Sequence, residues 1–210
     1  MGFDLQTIIS ICIAFAVAIT VHECAHAWVA NLLGDPTAKH EGRLSLNPLR
    51  HLDPLGTLTL ILFRFGWGKP VPVNSYNLRH PLRDNALISL AGPASNLITA
   101  AVLVVIVKHI LILFSGPIAE FVMQTAVITV SINIVLMLFN LIPLPPLDGS
   151  KLLFLALGKR GEGVSQWLEE KGPPVLFAVI IFSSYLGLPI FKYLISIPAD
   201  VIITTLYLAS

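Results

Sequence analysis

The chain has 210 residues, of which 55% are hydrophobic and 12% are charged, and its formal net charge is +1. Soluble domains carry about 25% charged residues, so the composition indicates a membrane protein and excludes an ordinary soluble domain. The near-neutral charge gives no electrostatic basis for binding nucleic acid. The length suits one bundle of roughly four to six membrane spans.

We therefore predict an all-α polytopic membrane protein, with residues 1–210 forming a single membrane-embedded domain. The first span ends at Gly34-Asp35-Pro36, a helix stop. Because no Lys or Arg precedes this span, we expect it to be retained and not cleaved as a signal peptide. The segment 174–188 is short and could either dip into the membrane or cross it at a tilt, so the number of C-terminal spans stays open at one or two. The predicted spans are about 5–33, 86–114, 118–141, 174–188 and 189–208.

Two interruptions of regular structure are predicted. The polar segment 35–85 contains the apolar run Leu58–Gly68, which is too short to cross a membrane. Because Pro70 and Pro72 confine any strand there to an edge, we predict a re-entrant segment or β-hairpin instead of a helix. In the second span, Gly92-Pro93 is expected to break the helix near its start.

The basic residues predict the orientation of the chain. Of its thirteen Lys and Arg residues, seven lie in 35–85 and four in 143–172, whereas the turn 115–117 has none. The positive-inside rule places both basic segments in the cytoplasm. The end of the first span and the segment around Asp148 then face the cytoplasmic side.

A His-Glu-x-x-His pattern ends the first apolar run, at His22, Glu23 and His26. Residues four apart share one helix face, so the two imidazoles can bind one metal ion, typically zinc, while the Glu acts as general base on a water. The alternative is a pair of core histidines and a buried Glu paired with neighbours. Such residues are costly within a membrane helix and usually mark function. Cys24 points away from the two histidines and is interpreted as an apolar filler.

A catalytic zinc site needs a third protein ligand. The segment Asn140–Gly149 reads NLIPLPPLDG, and its prolines forbid a regular helix from Pro143 to Pro146. This predicts a broken helix. Within a membrane, such a break is tolerated only where protein groups or a water-filled cavity form hydrogen bonds with the unpaired backbone N–H and C=O groups. Asp148 follows the break and is the candidate third ligand. The alternative is that Asp148 caps a short helix over 149–158.

Five segments together resemble the site-2 protease family of intramembrane zinc metalloproteases, peptidase family M50, in its compact prokaryotic branch. The resemblance implies one zinc ion per chain bound by His22, His26 and Asp148, with Glu23 as the catalytic base. It also implies cleavage of peptide bonds in or near the transmembrane segments of membrane proteins, for regulated proteolysis or for removal of signal-peptide remnants. The segments are HECAHAW, GRLSLNPLRHLDPLGTL, GWGKPVPVN, LAGPASN and NLIPLPPLDG.

Several further residues have two open roles. For Asn140, the resemblance implies a role in binding substrate or in polarising the carbonyl in the transition state. The alternative is that Asn140 caps the end of the third span. Asn96 either orients substrate or pins a helix pair, and His51 is expected to order a loop near the active-site face. Residues 57–74 either offer an edge to an unwound substrate strand or form a packing hairpin.

The function predicted from these residues is an intramembrane zinc endopeptidase in the cell membrane, with a transmembrane protein as substrate and the bilayer as its environment. The alternative is a metal transporter or metal-binding membrane protein that uses the same His and Asp residues. A transporter would need ligands along a path and no general base, whereas Glu23 occupies the position of a base. The identity of the substrate and the oligomeric state stay open.

Overall fold

A computed structural model describes residues 4–63, 66–109, 113 and 115–209, and over these residues the protein is helical. The all-α prediction is therefore confirmed. Within the described residues the extended pairing is limited to one isolated antiparallel bridge, between Leu52 and Gly68. The α-helices are α1 (Leu5–Leu32), α2 (Thr37–His40), α3 (Pro54–Phe63), α4 (Pro81–His109), α5 (Pro117–Asn140), α6 (Gly149–Leu157), α7 (Glu162–Tyr185) and α8 (Ile197–Ala209).

Four of the described helical segments are long and apolar enough to cross a membrane. They are α1, α4, α5 and the segment Lys192–Ala209, in which a π-helical turn leads into α8. The chain is thus a multi-pass membrane protein. The sequence predicts a short span at 174–188. The structure has a longer helix there, α7, which begins at Glu162 and continues through Pro173 and Pro174. A proline inside a helix removes one backbone hydrogen bond and crowds the carbonyl of the fourth residue before it, which can kink a helix without ending it. The charged first half of α7 excludes this helix from the four candidate spans.

Helices α1, α4 and α5 pack against one another and form the centre of the bundle. Ala14 and Ala18 of α1 are fully buried, and such small side chains let helix backbones approach closely in a membrane. Further along the bundle, α8 packs against α4 and α5. The apolar core there consists of Ala100, Val104, Val130, Ile134, Met137 and Ala199.

The second spanning helix differs from its prediction at its start and in its continuity. It begins at Pro81, five residues before the predicted start at 86, because proline suits the first helical turn and Asp84 accepts a 2.8 Å hydrogen bond from the His80 N–H. The expected break at Gly92-Pro93 is wrong, since the helix continues through Pro93. Neighbouring helices make such a proline tolerable in a bundle. The predicted end at 114 lies outside the described residues.

The predicted hairpin in the polar segment is wrong for its first half. Pro54–Phe63 is a helix, and Asp53 caps it by accepting a 2.7 Å hydrogen bond from the Gly56 N–H. A short apolar run cannot cross the membrane, but shortness does not exclude a helix. After residues 64–65, which the structure does not describe, residues 66–74 follow without helical structure. We call residues 66–74 the arm.

Asp35, directly after α1, anchors the end of the arm. Its carboxylate is fully buried and accepts hydrogen bonds from the Asn74 N–H (2.7 Å) and the Asn77 side-chain amide (2.8 Å). It also accepts from the Thr37 hydroxyl and N–H. Burial acts to raise the pKa of Asp35, but these hydrogen bonds outweigh it and hold the pKa below its ordinary value. The ionised carboxylate therefore ties the arm to the end of α1.

Replacing Asp35 with Asn tests this anchor. The amide of Asn has one acceptor oxygen where the carboxylate has two, and its NH2 group would face the N–H and O–H donors that now bind Asp35. We therefore expect the free energy of unfolding to fall by about 1–3 kcal/mol. The midpoint of thermal unfolding in detergent measures the effect. Glu41→Gln is the matched control at an exposed position and should leave the midpoint unchanged. Equal midpoints for both variants would contradict the anchoring role.

Candidate metal centre and active site

His22 and His26 lie one turn apart on α1 and are both buried. Their Nε2 atoms are 3.0 Å apart. Asp148 reaches the same point from the other side, with its Oδ2 atom 3.2 Å from His22 Nε2 and 3.3 Å from His26 Nε2. Among the described residues, these three form the group that could hold a metal ion.

The spacing of the three ligand atoms fits zinc. A tetrahedral zinc ion with ligands at about 2.0–2.1 Å separates neighbouring ligand atoms by roughly 3.3 Å. The three separations are 3.0, 3.2 and 3.3 Å. Asp148 Oδ2 is buried and has no hydrogen-bond partner among the described residues. A cation between the three atoms would satisfy this oxygen, so the residues present fit the metal that the sequence predicts.

A chain of buried amides determines which nitrogen of His22 carries the proton. The Thr129 carbonyl can only accept, so the Asn133 amide nitrogen faces it (2.8 Å). The Asn133 oxygen then accepts from the Asn96 amide nitrogen (2.8 Å), which also donates to the Ala18 carbonyl (3.0 Å). The remaining Asn96 oxygen lies 2.7 Å from His22 Nδ1 and accepts its proton. His22 Nε2 is left with a lone pair for a metal.

His26 is oriented in the same way by the backbone of α4. Its Nδ1 lies 2.7 Å from the Ile88 carbonyl, which can only accept, so Nδ1 carries the proton and Nε2 faces the metal position. Gly92 makes this close approach possible. A Cβ at position 92 would lie 2.5 Å from both His22 Cε1 and His26 Nε2. The Gly-Pro motif therefore admits the imidazole pair and does not break the helix.

Asp148 is delivered by the irregular segment between α5 and α6. Helix α5 ends at Asn140 and α6 begins at Gly149, where a Cβ would overlap the carbonyls of Leu141 and Ile142. The segment therefore folds back tightly on the end of α5. Asp148 precedes the first residue of α6, but its side chain makes no capping hydrogen bond. Its carboxylate faces the two histidines instead.

Glu23 lies beside the imidazole pair, and the arm contacts it. The Val71 N–H donates a 3.1 Å hydrogen bond to Glu23 Oε2. Glu23 also lines a cavity of about 1460 Å³, together with His22, His26 and Asp148. The cavity follows α1 from Thr7 to His26, and its remaining walls come from α3, the arm, α4, α5, Asp148 and residues near it. Its surface is mostly apolar.

The other candidate residues have distinct environments. Asn140 lines the cavity, and its amide nitrogen donates to the Leu136 carbonyl (3.0 Å). Asn96 is fully buried, and both its amide oxygen and its amide nitrogen bind protein groups. It contacts His22 and does not line the cavity. His51 is fully buried in the polar segment 35–85, which we call the insert. The sequence did not indicate the Val71 amide or the buried Arg43, since neither a backbone N–H nor a lone arginine has a distinctive pattern.

Comparison with known proteins gives consistent results. The family model described as Peptidase family M50 matches residues 112–183, which include Asp148. A Bacillus subtilis (strain 168) protein named "Putative zinc metalloprotease YwhC" is 44% identical over 148 residues, 67% of this chain and 66% of that protein. No solved structure gives a significant match.

Two mycobacterial proteins named "Putative zinc metalloprotease Rip2" are also similar. The protein of Mycolicibacterium smegmatis is 33% identical over 138 residues, and that of Mycobacterium tuberculosis (strain H37Rv) is 31% identical over 139 residues. Each match covers 63% of this chain and 51% of the relative, so the chain spans about half the length of these two proteins. With the family model, these relatives and the paired motifs in agreement, the chain belongs to peptidase family M50.

Proposed function

We propose that this protein is an intramembrane zinc endopeptidase that cleaves peptide bonds within or near the transmembrane segments of other membrane proteins. The observation that carries the proposal is the convergence of three ligand atoms, 3.0–3.3 Å apart, beside Glu23 in an apolar cavity of a multi-pass membrane protein. Zinc bound by His22, His26 and Asp148 would acidify a water molecule and polarise a substrate carbonyl.

The cavity supports a transmembrane segment as the substrate. Its wall on α1 runs from Thr7 to His26, about 28 Å of helix axis at 1.5 Å per residue. This is close to the roughly 30 Å thickness of a membrane's hydrocarbon core. A substrate span can therefore lie along α1 with one end at Glu23. The active site is proposed to open towards the cytoplasm, because both basic segments lie at that end of the chain's spans.

The chain's own residues account for the proton transfers. Glu23 takes a proton from the attacking water on its carboxylate and then gives it to the departing amine nitrogen as the peptide bond breaks. The substrate must unwind first, since its helical backbone groups are all paired internally. Asn140 is proposed to donate to the substrate carbonyl after its amide turns away from Leu136. The arm is proposed to lie beside the unwound segment.

Zinc content tests the ligand set. We expect the purified protein to bind about one zinc per chain, and Asp148→Ala to lose affinity for it, because two imidazoles alone leave the site incomplete. Metal analysis after dialysis against a chelator measures this. Asp200→Ala, an exposed aspartate at the start of α8, is the matched control and should keep its zinc. Full zinc retention by Asp148→Ala would remove the carboxylate from the ligand set.

Glu23→Gln separates catalysis from metal binding. The amide cannot accept the proton of the attacking water, so we expect cleavage of a transmembrane substrate to fall by about 10²-fold or more while zinc remains bound. Cleavage by the reconstituted protein and zinc content are measured on the same samples. Glu41→Gln should retain cleavage. If Glu23→Gln still cleaved at the wild-type rate, another residue would be the base. If the Glu23→Gln protein still moved zinc across vesicle membranes, the alternative function of a metal transporter would be favoured.

Asn96→Leu tests the orientation of His22. Removing the Asn96 oxygen leaves the His22 Nδ1–H without an acceptor, so we expect zinc affinity to fall about 10- to 100-fold. Competition with a chelator of known affinity measures the change. Thr99→Val, less than one turn further along α4, removes only a hydrogen bond to the Ser95 carbonyl and should bind zinc normally. Equal affinities for the two variants would show that the amide does not act on the histidine.

A further inference from the structure

Arg43 and His51 are buried in the insert, and the proposed reaction does not use them. Arg43 is 3% exposed and His51 is 0% exposed. Arg43 forms no ion pair with any residue that the structure describes, and Arg43 Nε and His51 Nδ1 have no hydrogen-bond partner among those residues. A buried guanidinium and two unpaired nitrogens cost stability.

Both residues hold Lys69, in the middle of the arm. The Arg43 guanidinium donates to the Lys69 carbonyl, and the His51 carbonyl accepts a 2.7 Å hydrogen bond from the Lys69 N–H. The His51 ring in turn donates from Nε2 to the Ser45 carbonyl (2.6 Å), which fixes the loop that presents the His51 carbonyl. Burial lowers the pKa of His51, although the Ser45 hydrogen bond opposes this, so the structure favours the neutral ring.

The contact at Lys69 determines where the Val71 amide points. Lys69 and Val71 each precede a proline, which favours extended backbone, and in extended backbone the N–H groups of residues i and i+2 lie on the same side. The Lys69 N–H faces the insert, and the Val71 N–H faces Glu23 Oε2 at 3.1 Å. The arm also packs closely there, because a Cβ at Gly68 would lie 2.6 Å from Ile19 Cγ2 and 3.5 Å from Glu23 Oε1. A shift of the arm would therefore change the surroundings of both Glu23 oxygens.

We propose that Arg43 and His51 are positioning residues that fix the arm, so that the Val71 N–H holds one oxygen of Glu23 and leaves the other for the attacking water. This proposal rests on the proposed function and assigns a role to the GRLSLNPLRH stretch, residues 42–51. It separates two supports of the active site. Asn96 and Ile88 orient the metal ligands, whereas Arg43 and His51 orient the base.

Three variants test the proposal. Arg43→Met and His51→Leu remove the side-chain donors and keep apolar bulk. His51→Gln keeps a donor near the position of the ring Nε2. For the first two we expect kcat to fall about 10- to 100-fold, as expected for a misplaced catalytic group, with zinc affinity unchanged. We expect His51→Gln to stay within about threefold of wild type, and the double variant to lose no more than the worse single, because both residues act through one arm.

A second measurement does not depend on activity. Amide hydrogen exchange of the peptide containing Val71 should be faster in Arg43→Met and His51→Leu than in wild type, while exchange in α1 is unchanged. Arg79→Met and His40→Leu, at exposed positions of the same insert, are the matched controls and should behave as wild type in every assay.

Three outcomes would overturn the proposal. Zinc affinity that falls together with kcat would show that the two residues support the whole site. A rise in KM at constant kcat would show that they serve substrate binding. Unchanged kcat and exchange would show that they do not hold the arm. A wild-type protein that cleaves no transmembrane substrate would instead contradict the proposed function, and the exchange result would still decide whether Arg43 and His51 fix the arm.

Discussion

The structure depends on one constraint, that two imidazoles buried in a membrane helix must each find an acceptor for the Nδ1 proton. Helix α4 supplies both acceptors, the Asn96 side chain and the Ile88 carbonyl. Because these acceptors bind the Nδ1 side of each ring, both Nε2 atoms face the same point, and the Asp148 carboxylate lies within 3.3 Å of both. The close contact between α1 and α4, the glycine at position 92 and the buried amides of α4 and α5 all help to meet this requirement.

The group of residues that could hold a metal could be predicted from the sequence, whereas the residues that orient it could not. His22 and His26 are one helical turn apart, and any helix brings them together. Asp148 follows a proline-rich break that excludes a regular helix, so a special role could be inferred. Asn96 is 74 residues from His22, and no local pattern pairs them. Its expected roles included pinning a helix pair, and the structure shows a contact with His22, a candidate metal ligand.

The errors in the predicted fold share one physical cause, an overestimate of what prolines and short lengths forbid. Pro93, Pro173 and Pro174 lie inside continuous helices. For Pro93, the packing of α4 against α1 and α5 makes the lost backbone hydrogen bond tolerable. The run Pro54–Phe63 is too short to cross a membrane, but its cap at Asp53 makes it a helix. In the proline-rich segment 141–148 the helix does end. There the chain folds back so tightly that Gly149 lies against the Leu141 carbonyl.

X-ray absorption at the zinc edge of the purified, zinc-loaded protein tests the proposed ligand set most directly. A site formed by His22, His26 and Asp148 predicts a four-coordinate ion with two imidazole nitrogens and two oxygens at about 2.0–2.1 Å, one of the oxygens disappearing or being replaced by water in Asp148→Ala. A sulfur ligand at about 2.3 Å, which would have to come from a cysteine such as Cys24, or a zinc environment with no imidazole, would contradict it.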